Sequence, residues 1–486
     1  MTYKLRPYQD ECVKSISDYI NSDRHDPVLI VGPVGCGKSL LIAEAARLMG
    51  DKTLILQPSK ELLQQNHDKI TSYGIPATIY SASCGKKELS NMIYATLGSI
   101  KKVVGQLKEM GIRNVLIDEA HAGYSPEDGS EFMTFMNELK PRKVIGFTAT
   151  PCRLKNMSIG QTSYSQLNFI TRMRPVYFKN LIHVIQVEEM IRQGFWTPLK
   201  YETWDFNGDA LKLNSNGSEY TAESISEAVR KNGLNNLILR RLMVLKDVCR
   251  SILVFMDSVE SCNTAAEWMN AKICAGMAEV VHGGTPKKQR EAIVERFKSG
   301  GTKVVFNYSA LGTGFDHPGL DCMIFGRPTF SFSTYYQAIG RVVRIKDGKD
   351  SALVIDCCNN SSRFGDIRGL SIENYKGYGW GMFIGDNLIT NIPMGDKVTK
   401  TDLDIKAAKK DRRRGLAQGV TAAPIPGRPD HPLGSTVMTF GKYCGWMFHS
   451  IPVSYFKFIN ETFDWSNDRN REIKEYIDFL IKNNKL

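Results

Sequence analysis

Gly32-Pro33-Val34-Gly35-Cys36-Gly37-Lys38-Ser39 decides the fold, because it fits the phosphate-loop pattern G-x-x-x-x-G-K-[ST] in the setting that pattern needs. The apolar run Val28-Leu29-Ile30-Val31 precedes it and reads as a buried strand, and residues 40–46 follow with a helical pattern. Glycines let the backbone turn its amides toward oxygen anions, and the N-terminus of the following helix adds a favourable dipole. In that reading Gly35, Cys36 and Gly37 surround bound phosphates, Lys38 reaches the β and γ phosphates, and the Ser39 hydroxyl ligates Mg²⁺. The bland alternative is a glycine-rich turn that only joins strand to helix. Flanking strand and helix speak against it, and a nucleoside triphosphate is the expected ligand.

Outward from this loop, strand-like apolar runs alternate with helical stretches. Residues 53–56, 77–80, 115–117 and 144–147 are such runs, and within residues 1–25 the amphipathic pattern Cys12, Val13, Ile16, Tyr19 and Ile20 predicts a helix before the first strand. Alternation of this kind predicts an α/β fold with a parallel sheet and helices on both faces. A second series follows Arg250, with runs at 252–255, 279–281, 303–306, 322–325 and 352–355, and it has no phosphate loop of its own. Two similar α/β lobes are therefore expected, over residues 1–200 and 246–365. A less regular inter-lobe segment, 201–245, contains the polar run 214–218 as an exposed loop. Past residue 365 the alternation fades. Residues 374–383 mix glycine with aromatics, which suits either base stacking or a hairpin packed on the second lobe. A basic run ends at Arg412-Arg413-Arg414, and four prolines between 421 and 434 mark a linker. Residues 366–434 are thus an extension and linker, and 435–486 a small C-terminal α+β domain.

Composition narrows the class. A chain of 486 residues has room for about three domains. The formal net charge of +12 favours a polyanionic partner such as nucleic acid. Eleven cysteines without a C-x-x-C pair match neither a zinc ribbon nor a disulfide framework, so reduced thiols in a cytoplasmic setting are expected. The first residues lack the apolar core of a signal peptide, and no run approaches the length of a membrane span.

Val115-Leu116-Ile117 runs into Asp118-Glu119-Ala120-His121. Two carboxylates at the end of an apolar strand are what phosphoryl hydrolysis needs beside a phosphate loop: Asp118 to hold Mg²⁺, and Glu119 to orient and deprotonate the attacking water. An isolated Asp-Glu pair would read as an ordinary strand end. Farther on, the stretch from Gln337 to Arg344 sets Arg341 and Arg344 three residues apart on one helical face, suited to charge developing on a transferred phosphoryl group. A basic face that only binds nucleic acid is the plainer alternative.

With these residues in hand, the chain resembles the superfamily 2 helicases and translocases of the DEAH type over roughly residues 3–360. Residues 5–9, Leu-Arg-Pro-Tyr-Gln, look like that family's adenine-recognition motif, which implies that Gln9 reads the base beside Arg6. Residues 32–39 correspond to motif I, 118–121 to motif II, and Thr148-Ala149-Thr150 to motif III. Residues 312–316 resemble motif V, implying that Asp316, just past Gly314, approaches the ribose. Residues 337–344 match motif VI, implying that Gln337 joins the catalytic set and that Arg341 and Arg344 act as fingers. The resemblance also implies strand contacts at Ser59 and Lys60, at Thr96 and Ser99, and at Ser258 and Ser309, through hydroxyls and amides that track phosphates. A helix cap is the plain alternative for any single serine here. His121, Thr148 and Thr150 are implied to couple nucleotide to strand.

Within the superfamily, residues 5–9, Asn66-His67 and residues 148–154, 191–198 and 336–341 look most like the bacterial RadD proteins, although the cysteine-rich zinc region of RadD is not present in this sequence. Phage branch-migration helicases of the UvsW kind share the same core. The C-terminal stretch around Gly441-Lys442-Tyr443-Cys444-Gly445-Trp446 is similar to a small domain found beside exonuclease-like proteins. There Lys442, Tyr443 and Trp446 suit either a nucleic-acid surface or a packed aromatic core, with a hairpin and then amphipathic helices as the expected form. The expected function is an ATP- and Mg²⁺-dependent motor on single-stranded or branched DNA. An RNA helicase, a restriction-system motor and a nucleotide-gated protein remodeller are the alternatives.

Overall fold

The computed structural model describes the chain apart from residues 1–3, 51, 160–161, 311–314, 408–430, 437, 439–442, 444–445, 463–464 and 466–470, with backbone alone at 158–159 and 162–163. Two compact units divide the chain, one made of Met1–Asn374 and Trp380–Val398, the other of Tyr375–Gly379 and Thr399–Leu486.

The first unit carries two lobes. In the first, α1 (Pro7–Asn21), β1 (Val28–Val31), α2 (Lys38–Met49), β2 (Thr53–Leu56), α3 (Lys60–Ser72), β3 (Thr78–Ser81), β4 (Lys86–Lys87) and β5 (Met92–Ala95) come first. They are followed by α4 (Leu97–Ile100), α5 (Val104–Glu109), β6 (Asn114–Ile117), α6 (Glu131–Leu139), β7 (Lys143–Thr148), β8 (Cys152–Ile159), β9 (Thr162–Phe169), β10 (Asn180–Val184) and α7 (Val187–Arg192). Eight strands form one sheet in the order β10-β1-β7-β6-β2-β5-β3-β4, parallel except for the short antiparallel β4. Strands β1, β2, β5 and β6 are buried along their whole length. That is why they read as unbroken apolar runs: helices cover both faces of a parallel sheet and leave no wet side to alternate toward.

The second lobe begins with β11 (Leu199–Thr203), α8 (Ala222–Lys231), α9 (Leu234–Val248), β12 (Ile252–Phe255), α10 (Val259–Lys272) and β13 (Ala278–His282). It continues with α11 (Lys287–Ser299), β14 (Val304–Tyr308), β15 (Cys322–Phe325), α12 (Phe332–Val342), β16 (Ala352–Asp356) and α13 (Asn360–Phe364). Its six strands are all parallel, in the order β11-β16-β15-β12-β14-β13. The expected α/β class with two RecA-like lobes is what the chain adopts. The stretch 201–245 is more regular than its sequence suggested. It holds most of β11, all of α8 and much of α9, and buries Ile225, Leu234, Ile238 and Leu242 against this lobe. In the polar run, Asn216 and Ser218 are exposed, but Gly217 is buried against Asn156.

Lys143, at the head of β7, is only 3% exposed and points its ammonium at the end of α1. Its Nζ donates to the carbonyls of Tyr19 (2.8 Å), Ser22 (2.7 Å) and Arg24 (2.6 Å), and it lies 4.6 Å above the Tyr19 ring. The last turn of a helix has carbonyls without intrahelical partners, so a cation there both bonds them and meets the negative end of the dipole.

After β7 the chain leaves the sheet as an antiparallel hairpin, β8 paired with β9 over eight residues. Polar side chains brace it. Asn156 Nδ2 donates to the Asn216 carbonyl (2.7 Å), and Ser165 Oγ donates to Asn156 Oδ1 (2.8 Å). Strands β17 (Leu370–Tyr375), β18 (Gly379–Ile384) and β19 (Asn387–Leu388) form a further small sheet. Residues 374–383 therefore do enter a hairpin, and it packs on both lobes: in β18, Ile384 lies against Gly365 at the end of the second lobe. Strand β17 lies on Gln186 of the first lobe, whose Nε2 donates to the Ile372 carbonyl (2.8 Å) and whose Oε1 accepts from Ile372 N–H (3.1 Å). Leu370, Ile372 and Met382 are apolar and bury in the core that also holds the first lobe.

In the second unit, the helices Val453–Thr462 and Arg471–Lys482 enclose Phe448, Ile451, Phe456, Ile459, Tyr476 and Ile477. Both helices were expected to be amphipathic, and their buried residues do lie on one face each. Tyr443 stands 4.8 Å from Tyr455 and 5.5 Å from Trp446, ring to ring, as part of this aromatic packing. Lys442, the basic run 409–414 and the proline-rich stretch up to residue 430 lie outside the described residues. Among the described residues, no helix is long and apolar enough to cross a membrane.

Candidate functional site

Parallel strands of one sheet end on the same edge, and ligands of α/β folds bind beyond that edge. The loop after β1, the carboxylates after β6 and the threonine that ends β7 share it in the first lobe. Gly35 and Gly37 have φ of +82° and +83°, which side-chain-bearing residues rarely adopt, so the loop needs glycine at both places. Gly37 caps α2 from the left-handed region, and the helix N-terminus opens into a cavity of about 510 Å³. Lys38, Ser39, Asp118 and Glu119 line that cavity on one side, and Asp316, Gln337, Arg341 and Arg344 on the other.

The polar groups form connected sets. Lys38 Nζ is 3.9 Å from Glu119 Oε1. Burial opposes the ammonium charge, yet Glu119, Cys36 and Asp118 together hold its pKa above the ordinary value. Burial, then the neighbouring Glu119 charge, push the Asp118 carboxyl up to about 7. Glu119 Oε2 is buried and accepts no hydrogen bond, although His121 Nδ1 lies 3.3 Å away. Asn66 ties the expected metal ligands together: its Oδ1 accepts from Ser39 Oγ (2.7 Å), and its Nδ2 donates to Asp118 Oδ2 (2.9 Å) and to Gln57 Oε1 (3.1 Å). A loop that only glycine can form, a helix N-terminus and a carboxylate oxygen without a hydrogen bond fit a magnesium-bound triphosphate.

On the base side, Gln9 Nε2 and Tyr8 OH both donate to the Cys36 carbonyl, at 2.9 and 3.2 Å. The Arg6 guanidinium sits 4.6 Å above the Phe195 ring, and Phe195 lines the cavity. Across the lobes, the helix α12 approaches the phosphate loop through Gly340, where a Cβ would stand 2.5 Å from Val34 Cβ. Trp196 Nε1 donates to the Val34 carbonyl (2.9 Å), while Thr197 N–H donates to the Val343 carbonyl (2.8 Å) and Thr197 Oγ1 to that of Arg344 (2.8 Å). Arg341 Nη1 donates to the Phe315 carbonyl (2.8 Å), and Arg344 pairs with the Asp316 carboxylate. Burial lowers both guanidinium pKa values, that of Arg341 to about 10. Gly314 lies outside the described residues.

This arrangement meets family models in the same order along the chain. Residues 2–153 match the model for the Type III restriction enzyme, res subunit, and residues 235–346 match the helicase conserved C-terminal domain. Both matches support a superfamily 2 helicase. The two matched ranges fall on the lobe with the phosphate loop and on the lobe with Arg341 and Arg344. The chain is 26% identical over 332 residues to a 51.5 kDa protein of a Lactococcus phage (isolate 7-9), covering 68% of this chain and 65% of that one. It is 24% identical over 279 residues to IRC3 of Saccharomyces cerevisiae, which carries a provisional name as an ATP-dependent helicase, covering 57% of this chain and 38% of that one. The chain thus spans less than two thirds of the length of these curated relatives. In fold it is similar to the ATP-dependent Type ISP restriction-modification enzyme LlaBIII bound to DNA, with a TM-score of 0.54 and 15% identity over 86% of this chain and 30% of that one.

The residues expected to couple nucleotide to strand meet across the lobes. His121 Nδ1 is 2.8 Å from Thr148 Oγ1, which also accepts from Thr150 N–H (3.0 Å). Ser333 Oγ on α12 lies 3.2 Å from His121 Nε2 and 3.3 Å from Thr150 Oγ1. The expected strand contacts sit just past strand ends. Ser59 and Ser258 accept from the amides of Leu62 (3.3 Å) and Ser261 (3.0 Å), so both cap helices. Lys60 is exposed at the start of α3. Thr96 Oγ1 donates to Ser99 Oγ (3.2 Å), and Ser99 Oγ accepts from Ala82 N–H (3.0 Å). Ser309 has φ of +52° and accepts from Arg327 Nη1 (3.2 Å).

Sequence reasoning gave no role to Asn66, Phe195, Trp196 or Ser333. Asn66 did leave a signal, since it occupies the buried stripe of α3 with Leu63 and Ile70, where an apolar residue is the rule. Ser333 stands one turn before Gln337, and that spacing alone carried no chemistry.

Proposed function

We propose that this protein is an ATP-driven motor on DNA, a helicase or translocase that hydrolyses nucleotide between its two lobes. The observation that carries the reading is the cavity taking Lys38 and Glu119 from one lobe and Gln337, Arg341 and Arg344 from the other. In this reading Gln9 and Arg6 recognise the adenine, Asp316 faces the ribose, and Lys38 binds the β and γ phosphates. Glu119 orients the attacking water and takes its proton as the γ-phosphoryl group parts from ADP. Arg341 and Arg344 stabilise the charge on that group, an effect worth roughly a thousandfold or more in rate. Ser39 and Asp118 would hold Mg²⁺, which neutralises phosphate charge when bound.

A strand running over the strand-end edges would meet Ser59, Lys60, Thr96 and Ser99 in one lobe and Ser258 and Ser309 in the other. Such hydroxyls and amides grip phosphates without reading bases, and the net charge of +12 supports a polyanionic track. The contacts of Ser333 with His121 and Thr150 give hydrolysis a route to the grip. The resemblance of the sequence to RadD and UvsW-type proteins motivates branched DNA as substrate: forks, D-loops or Holliday junctions in repair, recombination or phage replication, in a bacterial or infected-cell cytoplasm.

The test is steady-state ATP hydrolysis without polymer and with single strands, duplex, forked DNA, a Holliday junction and RNA, alongside Lys38→Ala and Glu119→Gln. Branched DNA should stimulate most, and both variants should lose turnover while Lys38→Ala keeps DNA binding. Stimulation by RNA alone, or by no polymer, would refute a DNA motor.

A further inference from the structure

The side chain of Lys349 serves no expected motif, yet it makes three backbone contacts beside the arginines of α12. Its Nζ donates to the carbonyls of Val342 (2.7 Å) and Arg344 (2.8 Å) and reaches that of Pro318 (3.2 Å). The first two belong to the end of α12, where carbonyls lack intrahelical partners and the dipole favours a cation. The third belongs to the loop that carries Phe315 and Asp316, which hold Arg341 and Arg344. The Arg344 carbonyl therefore takes two donors, Lys349 from the second lobe and Thr197 Oγ1 from the segment that enters it.

We infer that Lys349 is a positioning residue for hydrolysis, a cationic clamp that fixes the end of α12 against the Phe315–Pro318 loop and so sets where Arg341 and Arg344 stand. The inference rests on the hydrolytic reading above. An ammonium suits the task because its three donors point to three carbonyls. Burial draws its pKa down to about 8, the Asp321 carboxylate favours its charge, and the Arg344 and Lys346 cations oppose it. His317 on the same loop is kept neutral by burial and by Lys346, Lys298 and Lys349, with its pKa lowered to about 4. The clamp is thus intact below about pH 8 and loses a donor and its charge as pH rises through that value.

The experiment is single-turnover ATP hydrolysis at saturating DNA, from neutral pH to about pH 9.5, on the full chain and on Lys349→Met, Lys349→Arg and Lys38→Ala. In the native protein the rate should fall above about pH 8. Lys349→Met should lower it roughly ten- to a hundredfold at neutral pH, the scale of an ångström-sized misplacement, with ATP affinity changed by less than about twofold. Lys349→Arg should restore most of the rate and remove the fall above pH 8, because a guanidinium does not titrate there. An unchanged rate in Lys349→Met, or a native pH profile in Lys349→Arg, would overturn the inference. Undiminished turnover in Lys38→Ala would instead overturn the hydrolytic reading beneath it.

Discussion

Gly340→Ala separates the chemistry of the site from the stability of its lobe. The added Cβ would stand 2.5 Å from Val34 Cβ and 2.9 and 3.0 Å from its methyls. Carbon atoms rest at about 3.5–4.0 Å, so α12 and the phosphate loop must part by about 1 Å. Neither side has a flexible end to yield, since the contact on one side is the Cβ itself and Trp196 holds the Val34 carbonyl. A shift of that size next to Arg341 should cost roughly a hundredfold in turnover, about 2.7 kcal/mol of barrier. Stability should move little. Replacing a helical glycine by alanine gains about 1 kcal/mol, which offsets part of the ~1–3 kcal/mol that overpacking costs. The assay is DNA-stimulated ATP turnover measured beside thermal unfolding. The pair Val34→Gly with Gly340→Ala, which removes the clash, should recover at least about tenfold of the loss. Turnover of Gly340→Ala within about threefold of the native value would refute the argument that this contact sets the lobe spacing.

Other outcomes follow from contacts already described. Lys143→Met removes three bonds to carbonyls at the end of α1 and should cost about 3 kcal/mol or more, read as a melting temperature lower by several degrees; a shift under about 2 °C would contradict it. Asn66→Ala removes the link between Ser39 and Asp118 and should raise the Mg²⁺ concentration for half-maximal turnover about ten- to a hundredfold; an unchanged magnesium titration would count against that role. Ser333→Ala should leave basal hydrolysis near native while lowering the ratio of DNA-stimulated to basal turnover at least about fivefold. Equal loss in both would mark Ser333 as merely structural.

Much of the fold was legible because strands buried on both faces spell unbroken apolar runs, as in Val28–Val31 and Asn114–Ile117. The sides of the cavity were nameable because Lys38, Glu119, Arg341 and Arg344 sit in short patterns whose spacing carries chemistry. The β8–β9 hairpin was not legible. Arg153, Lys155, Asn156, Gln166 and Asn168 interrupt any apolar alternation, and the pairing is held partly by polar bonds to distant residues such as Asn216. Helix α9 was obscured for another reason: Leu237, Val244 and Val248 are exposed, so its apolar residues do not trace one buried stripe. Ser333 meets partners 183 and 212 residues away, a separation that no local pattern encodes.

Trp196 and Thr197 are consecutive, yet one bonds the phosphate loop and the other the end of α12. Any relative movement of the lobes that keeps those bonds has to turn about this dipeptide, as a door turns about its pin. Displacement then grows with distance from residue 197, so spectroscopic labels placed near the pin would register almost none of it and labels at the far rims most. Because the indole of Trp196 is part of the pin, its emission in a variant with the other five tryptophans replaced would report whether the pin has stayed engaged while the lobes turn.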